Sequence, residues 1–388
     1  MTTDKKKIWM IIDHPWQLSL AVAIRVACPT STGFNLIISR HKYWKFIESD
    51  SYQNHFDQVL FFEEPERAHN LKGVFQFIKS VKKLRRQIEK LPVGEDDVFL
   101  TLSYFKYVEN IVTSVFSRNK QIFLCRGDMR GLVHKKLSDI LFSKEFWITK
   151  SGWVHYLLLE PLLMLKKRTL FYWIKGKEQT HETSYSAPVE LLYDKVFVIK
   201  SVFKKNLEPA EIYFPYYLLR NEQKQTRERA RIVFFLADFV RNENYYNKIS
   251  QILQNLRKQY QGQYFLEIRL HPNKLNEFEL VNCDGWTINR EPGNAEQYLI
   301  RHASEIALAV SHLSTSALFA ASIGIPAYSY HRCFGFNSNF LQRFERIFAD
   351  MPEEFFMTSL ESFPAPYATK PVTPNEIRNS LQKLYSVL

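Results

Sequence analysis

The sequence predicts an α/β protein made of two doubly wound, Rossmann-like domains, and three observations predict it. Short β-rich apolar runs alternate with helix-patterned segments through the first half. A polar, charged stretch, "LRNEQKQTRERAR", begins at residue 219 and lacks large apolar side chains after its first Leu. Behind it the same alternation starts again. The expected organisation is a first domain over 1–218, a linker over 219–230, a second domain over 231–372 and a terminal helix over 373–388.

In the first half the expected strands are "KIWMIID", "FNLIIS", "DQVLFF", "DVFLTL" and "QIFLC". Between them, "PWQLSLAVAIRVA" and "LKGVFQFIKSVKKLRRQIEKL" space apolar residues as a helix does, with Leu71, Val74, Phe75, Ile78, Val81 and Ile88 on one side of the second. In the second half the strands are "IVFFLADF", "YFLEIRL", "IALAVS" and "PAYSY". The helices are "NYYNKISQILQNLRKQYQ", "AEQYLIRHA" and "SALFAASIG". Thr373, Pro374 and Glu376 give the last segment a capping box with Pro at the first helical position.

The chain has 388 residues, 46% of them apolar and 15% aromatic, which suits two folded domains and excludes a disordered chain. The net charge of +12 attracts polyanions: nucleotide phosphates, acidic glycans, anionic lipid or nucleic acid. Helix-turn-helix, zinc and RNP signatures are all missing, so nucleic acid is not an expected partner. Cys28, Cys125, Cys283 and Cys333 are widely spaced and form no Cys-x-x-Cys pair, which points to four buried, reduced thiols. The apolar run at the N-terminus is too short for a signal peptide, so a cytoplasmic protein is expected. Glu160 and Pro161 break the most apolar window, 153–177, short of the roughly 20 residues needed to span a bilayer.

In doubly wound sheets, ligands gather beyond the carboxyl ends of strands. In the second half those ends supply His271, Glu291, Ser311, His312, Ser314, Thr315, Ser316 and His331. Ser314, Thr315 and Ser316 follow a buried-looking strand and open a small-residue helix. They fit either a plain helix cap or a phosphate site built from hydroxyls and free N–H groups. His271 and Pro272 end a strand; Pro stops the ladder, and the His either packs in the turn or meets the same phosphate. G-x-G-x-x-G, Walker, H-E-x-x-H and D-x-D motifs are absent, which argues against a dehydrogenase, a P-loop NTPase, a zincin and metal-held sugar nucleotides. Neither metal nor cofactor is expected.

With these residues the sequence resembles the GT-B glycosyltransferases, two Rossmann-like domains facing each other across a cleft with a C-terminal helix packing back. It is most similar to bacterial enzymes using CMP-activated acidic sugars, the sialyltransferase and polysialyltransferase group, and more loosely to Kdo transferases. The group's HP motif is matched by His271 and Pro272, and its Ser-Ser/Thr motif by Ser314 and Thr315. "SALFAASIGIPAYSY" looks like the helix and "GIP" strand of GT-B donor domains generally, including those for UDP-sugars and CDP-glycerol. The group's acidic motif has its nearest counterpart in "FLCRGDMRG", where Asp128 stands with Gly and acid in a different order.

The resemblance implies an inverting, metal-independent transfer from a CMP-linked sialic acid- or Kdo-like donor, held by the second domain, to a surface glycan or lipid-linked acceptor. Such an enzyme serves capsule or lipopolysaccharide synthesis. A carboxylate must take the proton of the attacking hydroxyl. Asp128 is the first candidate; Asp13 is the second, with His14 beside it as a positioning group or alternative base. Asp13 also fits an N-cap for the helix starting near Pro15. His271, with Ser314, Thr315 and Ser316, would stabilise the departing phosphate, and Glu291 would contact substrate. The basic residues Lys79, Lys82, Lys83, Arg85, Arg86 and Lys90, with "LLMLKKRTLFYWIKGK", suggest peripheral contact with anionic lipid on the inner face of the cytoplasmic membrane. Alternatives are transfer from a UDP-sugar or CDP-glycerol, a sugar-nucleotide epimerase of similar build, and a non-enzymatic module that binds anionic surfaces.

Overall fold

A computed structural model describes residues 6–28, 32–40, 52–65, 71–102, 107–126, 193–220, 230–236, 243–271, 281–291, 293–312, 314–335, 345, 348–365 and 367–388. The first sheet contains β1 (Lys7–Ile12), β2 (Gly33–Arg40), β3 (Gln58–Glu63), β4 (Val98–Thr101), β5 (Lys120–Arg126), β6 (Lys195–Lys200) and β7 (Glu211–Tyr213). All pairs are parallel, in the order β3-β2-β1-β4-β5-β6-β7. Among the described residues three helices serve it: α1 (Pro15–Ala27), α2 (Leu71–Ile88) and α3 (Tyr107–Val115). The second sheet contains β8 (Arg231–Leu236), β9 (Phe265–Leu270), β10 (Thr287–Asn289), β11 (Ile306–Ser311) and β12 (Ala327–Ser329), in the parallel order β10-β9-β8-β11-β12. Its helices are α4 (Glu243–Tyr260), α5 (Ala295–Arg301) and α6 (Ser316–Ser322).

Each sheet reverses direction once, between β1 and β4 in the first and between β8 and β11 in the second. These reversals open a crevice beyond the strand ends. The strands are apolar on both faces because helices cover both. Ile8, Met10 and Ile12 of β1 face one core, while Trp9 and Ile11 face another formed with α2 and α3.

Four elements, α3, β6, β7 and β10, are additional to those the sequence pattern marked. β7 and β10 are three residues long, too short for a two-residue period to show. In α2 the inward side chains include Phe77 and Leu84 as well as the expected Ile88.

The two domains share one core. Val233, Phe235, Ala309 and Ala327 of the second sheet, with α5 and α6, join the cluster holding Ile8, Ile24 and Tyr216. The 3-10 turn Pro215–Leu219 lies between them, and Tyr216 packs its ring 4.4 Å from that of Phe319 on α6. Small side chains at Ala317, Ala320 and Ala321 let α6 come close. Gly324, at φ +82°, ends the turn after α6, and a Cβ there would stand 2.8 Å from the Tyr217 ring.

The last helix, α7 (Pro374–Tyr385), returns to the first domain. Its capping box forms: Thr373 Oγ1 accepts from Glu376 N at 3.3 Å, and the Glu376 carboxylate accepts from Thr373 N at 2.7 Å. Ser380 Oγ accepts from the Tyr213 N–H at 3.2 Å, and Tyr385 donates its hydroxyl to the Ile24 carbonyl at 2.6 Å. The chain thus closes by anchoring its end on β7 and α1. Among the described residues no helix is long and apolar enough to cross a membrane.

Candidate functional site

In the second sheet the crevice lies between the ends of β8 and β11. Ser311 is the last residue of β11, level with Phe235 of β8, which is level with Arg269 of β9. His271 therefore stands two residues past that line, on the same rim as the turn over 312–316. Two inter-strand spacings, about 10 Å, separate the backbones of β9 and β11.

The turn is organised by serines. Ser311 donates its hydroxyl to the Ser314 carbonyl at 3.3 Å. Ser314 Oγ accepts from the Ser316 N–H at 3.1 Å and lies 2.8 Å from Ser316 Oγ. Ser314 thus satisfies one of the free N–H groups at the start of α6. Thr315, at the N-cap position, makes no side-chain cap bond. Sequence reading gave this turn either a capping or a ligand-binding role; the capping bond is present, made by Ser314.

The other rim candidates go elsewhere. Ser311 and His312 are both fully buried, and the His312 ring stacks on Phe234 at 6.0 Å. Its Nε2 pairs with the Tyr245 hydroxyl, and burial pushes its pKa down to about 3, so the ring is neutral. Its Nδ1 has no partner among the described residues. His331 is equally buried, stacked on Phe348 at 5.6 Å with Nδ1 2.9 Å from Ser329 Oγ, and burial lowers its pKa to about 4. Both histidines belong to the core, which corrects their placement on a polar rim.

Glu291 follows β10, three strands from β11, and both its carboxylate oxygens are engaged. One meets Arg301 and the other lies 3.3 Å from His302 Nε2, so it ties the strand end to the end of α5. Beneath it runs a buried polar network that sequence patterning missed. Arg269, nearly fully buried, donates to Asn289 Oδ1 at 3.2 Å and to the Gly293 carbonyl at 3.0 Å, with its guanidinium 4.4 Å from the Tyr298 ring centre. Glu267 accepts from Arg231 at 3.1 Å, from Asn289 at 2.7 Å and from the Tyr298 hydroxyl. Burial lowers the Arg269 pKa. Burial and the Glu267 carboxylate raise that of Tyr298. The network fixes the loop 290–294, where Asn294 caps α5 by accepting from Gln297 N at 2.8 Å.

In the first sheet, Asp13 and His14 stand where β1 ends beside β4. The N-cap of α1 is His14, not Asp13. Gln17, a buried residue at the third helical position, organises this point: its Oε1 accepts from Asp13 N at 2.7 Å and His14 N at 3.0 Å, and its Nε2 donates to the Leu102 carbonyl at 3.0 Å. One amide therefore ties the ends of β1 and β4 together at the crevice. The signal was legible, since His14-Pro15-Trp16-Gln17 has Gln at the capping-box position. Asp128 and Pro272 lie outside the described residues, as does the segment "LLMLKKRTLFYWIKGK". Among the described residues no group of three or more His, Cys, Asp or Glu could hold a metal ion.

No protein-family model and no curated protein matches this sequence. Solved structures do match. An α/β-galactoside α-2,3-sialyltransferase from Photobacterium phosphoreum superposes with a TM-score of 0.51 at 11% identity, covering 92% of this chain and 99% of that one. A UDP-GlcNAc 2-epimerase from Methanocaldococcus jannaschii gives 0.46 at 10% identity, over 98% and 99% of the two chains. An E. coli heptosyltransferase with ADP-2-deoxy-2-fluoro heptose gives 0.40 at 11%, over 97% and 99%. Identities this low speak to fold alone, and only the first score is high enough to bear on it. The two parallel Rossmann-like domains and the returning terminal helix are those of the GT-B fold.

Proposed function

We propose that the protein is an inverting, metal-independent glycosyltransferase that holds a nucleotide sugar in its second domain and passes the sugar to a glycan or lipid-linked acceptor at the first. The observation that carries this reading is the serine-lined turn at the β8/β11 crevice, with His271 on the same rim. A diphosphate- or monophosphate-linked donor lying across the rim would meet the half-buried Ser314 and Thr315 on one side and an imidazole on the other. Those donors would stabilise charge growing on the departing phosphate. The GT-B fold supplies the second half of the reading, an opposing crevice where Asp13 stands at a strand end to accept the acceptor's proton. Asp128 is the rival for that role by its place in the sequence after β5.

The HP and Ser-Thr residues favour a CMP-linked acidic sugar as donor. A thermal-shift screen of CMP, CDP, UDP and GDP tests this, because a ligand at about a hundred times its Kd stabilises the native state by about 2.7 kcal/mol. CMP is expected to raise Tm, and His271→Ala and Ser314→Ala to weaken that response about tenfold or more in concentration. Stabilisation by UDP but not CMP would overturn the donor assignment. Turnover of a sugar nucleotide without any acceptor would replace transfer by epimerisation.

A further inference from the structure

Helix α2 carries a surface that no described contact uses. Phe77, Leu84 and Ile88 point into the core behind the first sheet. At 3.6 residues per turn, Lys79, Lys82, Lys83 and Arg86 all fall on the opposite side, within an arc of about 100°, and Lys90 follows in the turn after the helix. All five are exposed, and the four on the helix form a stripe about 11 Å long.

Among the described residues the stripe has no counter-charge. None of the five makes an ion pair among the described residues, and the one acid beside it, Glu89, is held by Arg85 at 2.8 Å. Lys79 and Lys83, and Lys82 and Arg86, are like-charge pairs four apart, which oppose helix formation. An anionic partner would relieve that repulsion.

We propose that this stripe docks the protein on an anionic lipid bilayer. Among the described side chains the neighbouring outward residues are Gln76, Ser80 and Gln87, none of them an aromatic ring able to stack on bases. From Lys79 to Arg86 the arc itself holds only cations, so the contact they make is electrostatic and sensitive to salt. α2 lies flat along the sheet on the face opposite α1, so a docked protein keeps the shared core of the two domains turned away from the lipid. Because α2 follows β3 and precedes β4, its start lies at the rim where Asp13 stands. A lipid-carried acceptor would therefore reach the first domain from this side.

Flotation of the full chain with vesicles containing one-third phosphatidylglycerol in phosphatidylcholine tests the proposal, and needs no donor or acceptor. Binding is expected on these vesicles, absent on pure phosphatidylcholine, and lost at high salt. Each cation near such a surface contributes about a fivefold gain in partitioning, so changing Lys79, Lys82, Lys83 and Arg86 together to Gln should lower it at least about a hundredfold. Gln and these cations have similar helix propensity, so α2 should persist, and circular dichroism checks that. A control changing Lys205, Lys258, Lys370 and Arg378 to Gln removes the same charge elsewhere and should leave partitioning within about threefold of wild type. Equal losses in both variants, or no binding of the wild type to anionic vesicles, would overturn the proposal. So would a stripe variant that keeps its lipid affinity but no longer binds a short DNA duplex in an anisotropy titration.

Discussion

Replacing Gln17 by Leu should loosen the first-domain crevice. The Gln17 amide satisfies three backbone groups, the N–H of Asp13, the N–H of His14 and the carbonyl of Leu102. Leu is close in size but takes the amide away from all three, at about 1 kcal/mol each, and regains about 1 kcal/mol by burying more apolar surface. The net loss is about 2 kcal/mol. For a domain of roughly 200 residues that corresponds to a fall in Tm of about 4 to 8 °C, readable in thermal and urea melts. Amide exchange at Asp13 and His14 should quicken, because their acceptor is gone. Gln17→Glu keeps an acceptor for both N–H groups at a helix start, where negative charge is favoured, but sets a carboxylate against the Leu102 carbonyl. It should therefore restore slow exchange at Asp13 and His14 without restoring full stability. In a transfer assay Gln17→Leu should lower kcat with little change in donor KM, since the donor is assigned to the other domain. A Gln17→Leu protein within about 0.5 kcal/mol of wild type, with exchange unchanged at both amides, would refute the reasoning.

Two further outcomes follow from the core. His312 and His331 have pKa values lowered by burial from 6.5 to about 3 and about 4, so the unfolded chain binds protons that the folded one refuses. Their contribution to stability is full above about pH 6.5 and declines as pH falls towards those lower values, each adding up to about 1.4 kcal/mol per pH unit of slope. Urea melts of His312→Gln between pH 7 and pH 4 should show about one proton's worth less slope than wild type. Gly324→Ala places a Cβ at positive φ and 2.8 Å from the Tyr217 ring, and should cost about 2 kcal/mol or more. In a double-mutant cycle Tyr217→Ala should recover the steric share of that loss but not the backbone share.

The sequence by itself determined the architecture. Apolar runs buried on both faces, such as "KIWMII" and "IALAVS", and helices marked by Pro15 and by the Thr373 box identified two parallel sheets and a terminal helix, because these signals are local and strong. Short strands escaped it: β7 and β10 hold only three residues, and their pairing comes from neighbours far along the chain. The polar turn at Ser314 and Ser316 was legible for the same local reason, since a cap is written in adjacent residues.

Only the tertiary structure decided which polar residues face a crevice and which are core. Ser311 and His312 are adjacent, equally polar on paper and both fully buried, yet one donates its hydroxyl to the Ser314 carbonyl in the turn and the other packs against Phe234 and Tyr245. Glu291 reads as a free carboxylate until α5 brings Arg301 and His302 to it. Gln17 reads as a helix residue until β4 arrives with the Leu102 carbonyl. In each case the deciding partner lies on another element, and only folding brings it within hydrogen-bonding or packing distance.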